Sequence, residues 1–278
     1  MHSMRSEQSE LAAHRLYPNN EREALSPPPA PEIHPRKRIR LPSSLCKPSL
    51  RTYFDWEDSW NEDYAKRPAL LDLFAGGGGA GMGYYLAGFR VVGIDIVSQP
   101  HFPFEFYQAD ALTYPLDGFD AYHASPPCQD SSMASQQWRA AGKVYPRLIA
   151  ATRDLLISTG KPFVIENVPG SPLLNPTKLN GAFFGMRIRR TRLFETSFEM
   201  PLILLPKEER SGFRMGRPVT EDSIITPVGH FSGCAIARKR MEINWMTQGE
   251  LAQAIPPAYT EFIGKYLLEA LEANMENG

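Results

Sequence analysis

The stretch that most narrows the folds open to this chain is Asp72–Gly83, which reads DLFAGGGGAGMG. An apolar run, Ala69–Phe74, leads into it and predicts a short strand. Beyond the glycines, Tyr84–Gly88 reads as a helix that Gly88 ends. A second apolar run, Arg90–Ile94, follows and stops at Asp95. Strand, glycine turn, helix, strand and acid form the βαβ arrangement that binds nucleotides. Its glycines let backbone approach the ligand, and an acid about 20 residues on can hold a ribose hydroxyl pair. The expected fold is therefore α/β and Rossmann-like, with a mostly parallel sheet. The turn alone suits a nicotinamide or an adenosyl cofactor equally.

The next segments repeat the pattern. Phe104–Tyr107 reads as a strand with Asp110 beyond its end, placed either to contact a ligand amine or to cap a helix starting near Ala111. Phe119–Ala124 is a further buried strand, and it runs into Ser125-Pro126-Pro127-Cys128-Gln129. Two prolines stiffen the backbone before a thiol at a strand tip, which suits a cysteine nucleophile. A buried structural cysteine is the plainer alternative. The polar run 130–142, with Gln136, Gln137, Trp138 and Arg139, has the composition of a lid that closes on substrate. A helix is expected over about 145–158, with Leu148, Ile149, Leu155 and Leu156 buried, and Gly160 ends it. A strand over Pro162–Ile165 then carries Glu166-Asn167-Val168 at its carboxyl end. Ligands in such folds bind beyond the carboxyl ends of strands, so Cys128 and Glu166 are expected in one crevice.

Composition sets the limits around this unit. The chain has 278 residues, 42% of them hydrophobic, enough for one large domain with a real core. A net charge of −1 supplies no overall field for nucleic acid, so any such contact needs a local patch. Residues 186–217 offer one: Arg187, Arg189, Arg190, Arg192, Lys207, Arg210, Arg214 and Arg217 against four glutamates. Arg190 and Arg192, two apart, are expected to point the same way along a strand at Arg192–Glu195. The three cysteines (Cys46, Cys128 and Cys234) have neither disulfide nor metal-ligand spacing. No metal, membrane span or signal segment is expected. Residues 1–65 read as a disordered Pro-rich tail holding eight of the 25 prolines and the basic run Arg36–Arg40, in which Trp56 and Trp60 are candidates for packing onto the domain. The stretch from Thr196 to Arg240 reads as irregular. Helices are expected over Met246–Ile255 and Ala258–Ala273, the latter burying Phe262, Ile263, Tyr266, Leu267 and Leu271.

Taken together, DLFAGGGGAGMG, Pro126-Pro127-Cys128-Gln129, Glu166-Asn167-Val168 and Arg190-Thr191-Arg192 stand in the order of the cytosine-C5 DNA methyltransferase motifs. Over roughly residues 69–270 the chain resembles that family, above all its compact bacteriophage and prokaryotic members. The resemblance implies methyl transfer from S-adenosyl-L-methionine to C5 of a flipped-out cytosine in double-stranded DNA. Cys128 would attack C6, Glu166 would hold N3 and the exocyclic amine, Arg192 would support the base carbonyl, and Arg190 would contact nearby backbone or the closed loop. Phe74, Gly76 and Gly78 would border the methionine portion of the cofactor, Asp95 its ribose, Asp110 its adenine amine, and Pro127 both the adenosyl group and the base. One branch of the family acts on tRNA, and a catalytically inactive DNA-binding module is a further alternative.

The chain departs from the family pattern in three places. Ile188 stands where a glutamine is usual, and Ala252-Gln253 where Gly-Asn is usual. The third is length, because only 196–240 is left for target recognition between a catalytic region (66–195) and C-terminal helices (241–278). A reduced recognition region implies a short target or an accessory partner. The expected protein is a monomer located in the cytoplasm, or in the nucleus of a eukaryote.

Overall fold

The computed structural model describes residues 62–127, 148–206 and 219–276. Cys128, the run 130–142, residues 1–61 of the tail with both its tryptophans, and Lys207, Arg210, Arg214 and Arg217 lie outside these residues, while the last four residues of the expected disordered tail are helical. Among the described residues, a short helix α1 (Glu62–Ala65) precedes β1 (Ala69–Leu73), α2 (Gly79–Ala87), β2 (Arg90–Asp95), β3 (Glu105–Gln108) and β4 (Ala121–Ala124). There follow α3 (Leu148–Ser158), β5 (Phe163–Asn167), β6 (Thr177–Leu179), a 3-10 turn (Gly181–Phe184) and β7 (Arg192–Thr196). The last elements are α4 (Cys234–Met241), α5 (Gln248–Gln253) and α6 (Pro257–Glu276).

The strands form one sheet in the order β3-β2-β1-β4-β5-β7-β6. β1 to β5 pair in parallel, and β7 runs against both of its neighbours. This is the α/β, mostly parallel sheet expected from the glycine unit. Its strands read as near-continuous apolar runs because both faces are covered, and β1, β4 and β5 are buried along their whole length. The chain leaves β1 toward β2 and β3, then returns to place β4 on the other side of β1. The resulting switch point opens a crevice beyond the carboxyl ends of β1 and β4. On one sheet face Leu70, Val91, Ala121 and Val164 pack beneath α2 and α6, with Tyr84, Tyr259, Ile263 and Leu267. On the other, Leu71, Val92, Tyr122 and Ile165 meet Ile149 and Leu156 of α3.

Several elements differ from the sequence reading. Helix α2 starts at Gly79, inside the glycine run and well before Tyr84. Glycine is a poor helix former, but here α6 packs so close that a Cβ on Gly83 would collide with the Pro257 carbonyl and Thr260 Oγ1. Gly78, which caps the helix, sits at φ 81, where side chains are disfavoured. β5 continues through Glu166 and Asn167 because both pair with β7, Glu166 with Phe194 and Asn167 with Leu193. Those two residues therefore belong to the strand and do not follow it. No helix begins near Ala111; the backbone turns there, with the Thr113 and Tyr114 N–H groups donating to the Asp110 carbonyl. On α3, Thr152 joins Ile149 and Leu156 in full burial, while Leu148 and Leu155 are half-buried. Helix α4 occupies the end of a stretch expected to be irregular. In α6, Ile263 and Leu267 are buried as expected, and Tyr259 and Thr260 join them, while Phe262, Tyr266 and Leu271 are half-buried.

Candidate active site

On the β1–β2 side the crevice is built from backbone. After Leu73 the chain turns out of the strand through Phe74, a non-glycine residue at φ 58, and Ala75 N–H returns to the Ile94 carbonyl at 3.0 Å. Asp95, at the end of β2, accepts the Gly76 N–H on Oδ2 (3.0 Å) and the Val97 N–H on Oδ1 (2.9 Å). Each carboxylate oxygen keeps acceptor capacity for a hydroxyl. A Cβ placed on Gly76 would meet nothing within 4 Å, so the turn leaves open space above Gly76. Asp110 is exposed past the end of β3, its Oδ1 accepting the Leu112 N–H at 3.0 Å. A ligand with vicinal hydroxyls and an amine fits this row of acids.

The sequence reading passed over what holds the turn. Trp245, just before α5, donates its indole N–H to the Gly77 carbonyl at 2.9 Å. Met246 packs where a side chain on Gly77 would lie, at 3.1–3.3 Å from that Cβ position. Only their apolar character marks these two residues in the sequence, and nothing local ties them to a turn 168 residues upstream.

Across the switch point the site is built from buried side chains. Glu166 is 6% exposed and Asn167 1%. Asn167 donates its side-chain N–H to the Pro126 carbonyl at 2.9 Å, which ties the Pro-Pro segment to β5. Pro127, half-buried, is the last described residue before Cys128. Arg192 Nε lies 2.9 Å from Glu166 Oε1. That contact is ionic and lacks the alignment of a hydrogen bond, and among the described residues Oε1 has no hydrogen-bond partner. Burial pushes the Glu166 carboxyl above the usual range, opposed by Arg192, by a hydrogen bond from Ser125 and by Arg190.

A second buried glutamate shows how unusual that is. Glu195, one residue past Phe194 on β7, accepts Arg153 at both oxygens (2.5 and 2.7 Å) and the Leu174 N–H at 2.7 Å. Glu195 is a fully occupied structural acid, whereas Glu166 keeps capacity for something else.

Two further acids and bases sit beneath the crevice. Asp72 is wholly buried near the end of β1, and among the described residues neither of its oxygens has a hydrogen bond of ordinary geometry. Burial holds its carboxyl well above the usual range, Asp95 and Glu166 add to this, and the Gly81 N–H opposes it. His123 stands opposite Asp72 on β4 and is also fully buried. Its Nδ1 is 2.9 Å from Tyr84 Oη and its Nε2 is 2.9 Å from Ser125 Oγ. Burial lowers the His123 pKa to about 3, so its ring is neutral.

Arg190, two residues before Arg192, makes its own backbone contacts. It precedes β7, is 2% exposed, and donates to the Pro227 carbonyl (2.6 Å) and the Ala252 carbonyl (3.0 and 3.1 Å). It therefore ties the 227 and 252 segments to the start of β7. The Ala252 contact uses only main chain, so the unusual alanine costs nothing there. Ile188, the other departure, is a core residue bridged to Ile225. Of the described members of the basic patch, Arg187 donates to the Asp222 carbonyl and Arg189 is exposed. Two of these four arginines thus face inward, which weakens the surface field expected of the patch.

No family model and no curated protein sequence matches this chain. Its fold is similar to that of solved structures. One is a candidate DNA modification methyltransferase encoded within an E. coli prophage, with 16% identity, coverage of 74% of this chain and 99% of that one, and a TM-score of 0.50. Another is an Entamoeba histolytica methyltransferase, with 13% identity, coverage of 74% and 99%, and a TM-score of 0.53. The seven-stranded, mostly parallel sheet with its flanking helices is thus an α/β fold of the kind found in those methyltransferases.

Proposed function

We propose that the chain is an S-adenosyl-L-methionine-dependent methyltransferase acting on C5 of cytosine in double-stranded DNA. The observation that carries this reading is Glu166: a buried carboxyl with a raised pKa, ion-paired through Oε1 with Arg192 but with no aligned hydrogen bond on that oxygen among the described residues, beside the prolines that precede Cys128. Cytosine C5 is a weak nucleophile until C6 has been attacked and N3 protonated. Glu166 is suited to hold or donate a proton at N3, because burial raises its pKa and so favours its acid form. Arg192 balances the carboxylate and supports the base carbonyl as negative charge develops. Cys128 supplies the thiolate for C6 and leaves after a base removes the C5 proton.

The bound cofactor supplies an electrophilic methyl group. Asp95 would accept its ribose hydroxyls, the Phe74–Gly78 turn would border its methionine part, and Asp110 would accept its adenine amine. Pro127 would separate donor from base. The target must leave the helix stack, at a cost of a few kcal/mol, and the run 130–142 would close over it. The short 196–240 region would read a short target or borrow an accessory partner.

The test is methyl transfer from labelled S-adenosyl-L-methionine to duplex DNA and to tRNA in parallel, with bisulfite sequencing of the DNA. Cytosine methylation by wild type and none by Cys128→Ala is expected. Methylation that persists in Cys128→Ala, or that appears only on tRNA, overturns the reading.

A further inference from the structure

Apart from the Glu166–Arg192 pair, the described residues hold one run of buried polar groups that leads to Glu166. It starts on α2 at Tyr84, passes to His123 on the facing side of β4 and then to Ser125 past the strand end, whose hydroxyl hydrogen-bonds the Glu166 carboxyl. We propose that Tyr84, His123 and Ser125 form a hydrogen-bonded chain that orients Glu166 and favours its carboxylate form. His123 is then a positioning residue that acts through Ser125.

Packing alone gives no reason for this histidine. It sits within β4 between buried Tyr122 and Ala124, on a face it shares with the apolar Leu70, Ala121 and Val164 and, directly opposite on β1, with the buried Asp72. An apolar side chain there would avoid the cost of burying a ring with two polar nitrogens.

The direction of the chain follows from donor counting. A neutral imidazole has one N–H and one lone pair. If Tyr84 donates to Nδ1, then Nε2–H donates to Ser125 Oγ, and the serine proton is left for Glu166. Every donor then has an acceptor. In the reverse arrangement Ser125 donates to Nε2 and Nδ1–H donates to Tyr84, whose own proton has no acceptor at hydrogen-bond distance among the described residues. Burial keeps Tyr84 protonated, so that stranded donor carries a real penalty. The chain therefore donates toward Glu166. Other charged or titratable groups bearing on Glu166 and Tyr84 are Arg192 and Arg190 from the β7 segment and Asp72 from β1. None of them is a member of the chain.

The decisive measurement is an infrared carboxyl titration of the purified full chain, with the Glu166 band identified as the one missing from Glu166→Gln. Removing the donation raises the midpoint of Glu166. The expected rise is about one pH unit in Ser125→Ala, and smaller in His123→Leu and Tyr84→Phe. His123→Gln, whose amide has both a donor and an acceptor, should recover at least half of the His123→Leu shift. Tyr84→Phe removes one oxygen and remains informative even where His123→Leu fails to fold. An unshifted midpoint in a Tyr84→Phe protein with wild-type thermal stability overturns the chain.

Its kinetic consequence rests on the proposed methyl transfer, where kcat should fall with little change in KM for the methyl donor, and the Glu166-dependent limb of the pH profile should move to higher pH. The two ideas fail separately. A wild-type chain that transfers no methyl group ends the functional reading and leaves the infrared result standing. An unshifted titration ends the chain even when transfer is robust.

Discussion

The two walls of the crevice solve the same task by opposite means. On the β1–β2 wall, Asp95 is held by main-chain N–H groups and stays half-open to solvent. On the β4–β5–β7 wall, His123 and Glu166 are sealed from water; burial alone keeps His123 neutral, and Glu166 is tuned by burial against neighbouring side chains. A backbone-held acid tolerates changes around it and suits a ligand that must come and go. A side-chain-held acid is tunable over a wide pH range, and one substitution can disable it.

The sharpest way to break this contrast is Glu166→Gln. Under the proposed function it should lower methyl transfer about 10²–10⁴-fold, while calorimetric affinity for S-adenosyl-L-methionine stays within about threefold of wild type. Equal losses in rate and in affinity would erase the division between the walls. Asp95→Ala should do the reverse, weakening cofactor affinity about tenfold or more by loss of charge-assisted hydrogen bonds, with little change in saturated rate.

Stability against pH gives two smaller tests, on the buried His123 of β4 and on its β1 neighbour Asp72. His123 has a folded pKa of about 3, below its ordinary 6.5, so the unfolded chain takes up the proton first. Its contribution is fully present above about pH 6.5 and is lost as pH falls toward 3, at up to about 1.4 kcal/mol per pH unit. Denaturant titrations of His123→Gln should show that acid slope flattened. Asp72 has the opposite sign. Its raised pKa means that stability is lost as pH rises above the usual carboxylate range. Asp72→Asn should therefore gain on wild type in thermal midpoint between pH 5 and pH 8, by an amount set by how much of Asp72 ionises.

The same contrast explains what the sequence made legible. The β1–β2 wall follows from local rules, namely glycine spacing, an apolar period and an acid at a fixed offset, and the glycine turn meets Asp95 at the end of β2, where the Gly76 N–H donates to it. The other wall depends on partners distant in sequence. Glu166 was visible as an acid near a strand end, yet the antiparallel partner that extends β5 past it comes from Leu193 and Phe194. His123 passed as one residue of an apolar run, because its partner Tyr84 lies 39 positions away on a helix. Arg190 paired with Arg192 by spacing alone, and its actual partners, at Pro227 and Ala252, had no local signal. The start of α2 was misplaced because glycine usually marks a turn, and only the approach of α6 makes it a helix residue.

That approach bears on how the chain reaches its active form. The glycine turn and α2 come early in synthesis, but Trp245 and Thr260 complete them from 168 and 180 residues downstream, through the Gly77 and Ala80 carbonyls. Contacts of such span close late and slow folding. A nascent chain would therefore carry the cofactor turn unsupported until α5 and α6 leave the ribosome. Under the proposed function, cofactor binding is then gained only once α5 and α6 have docked, and a chain truncated before Trp245 should keep the sheet's sequence and lose the binding.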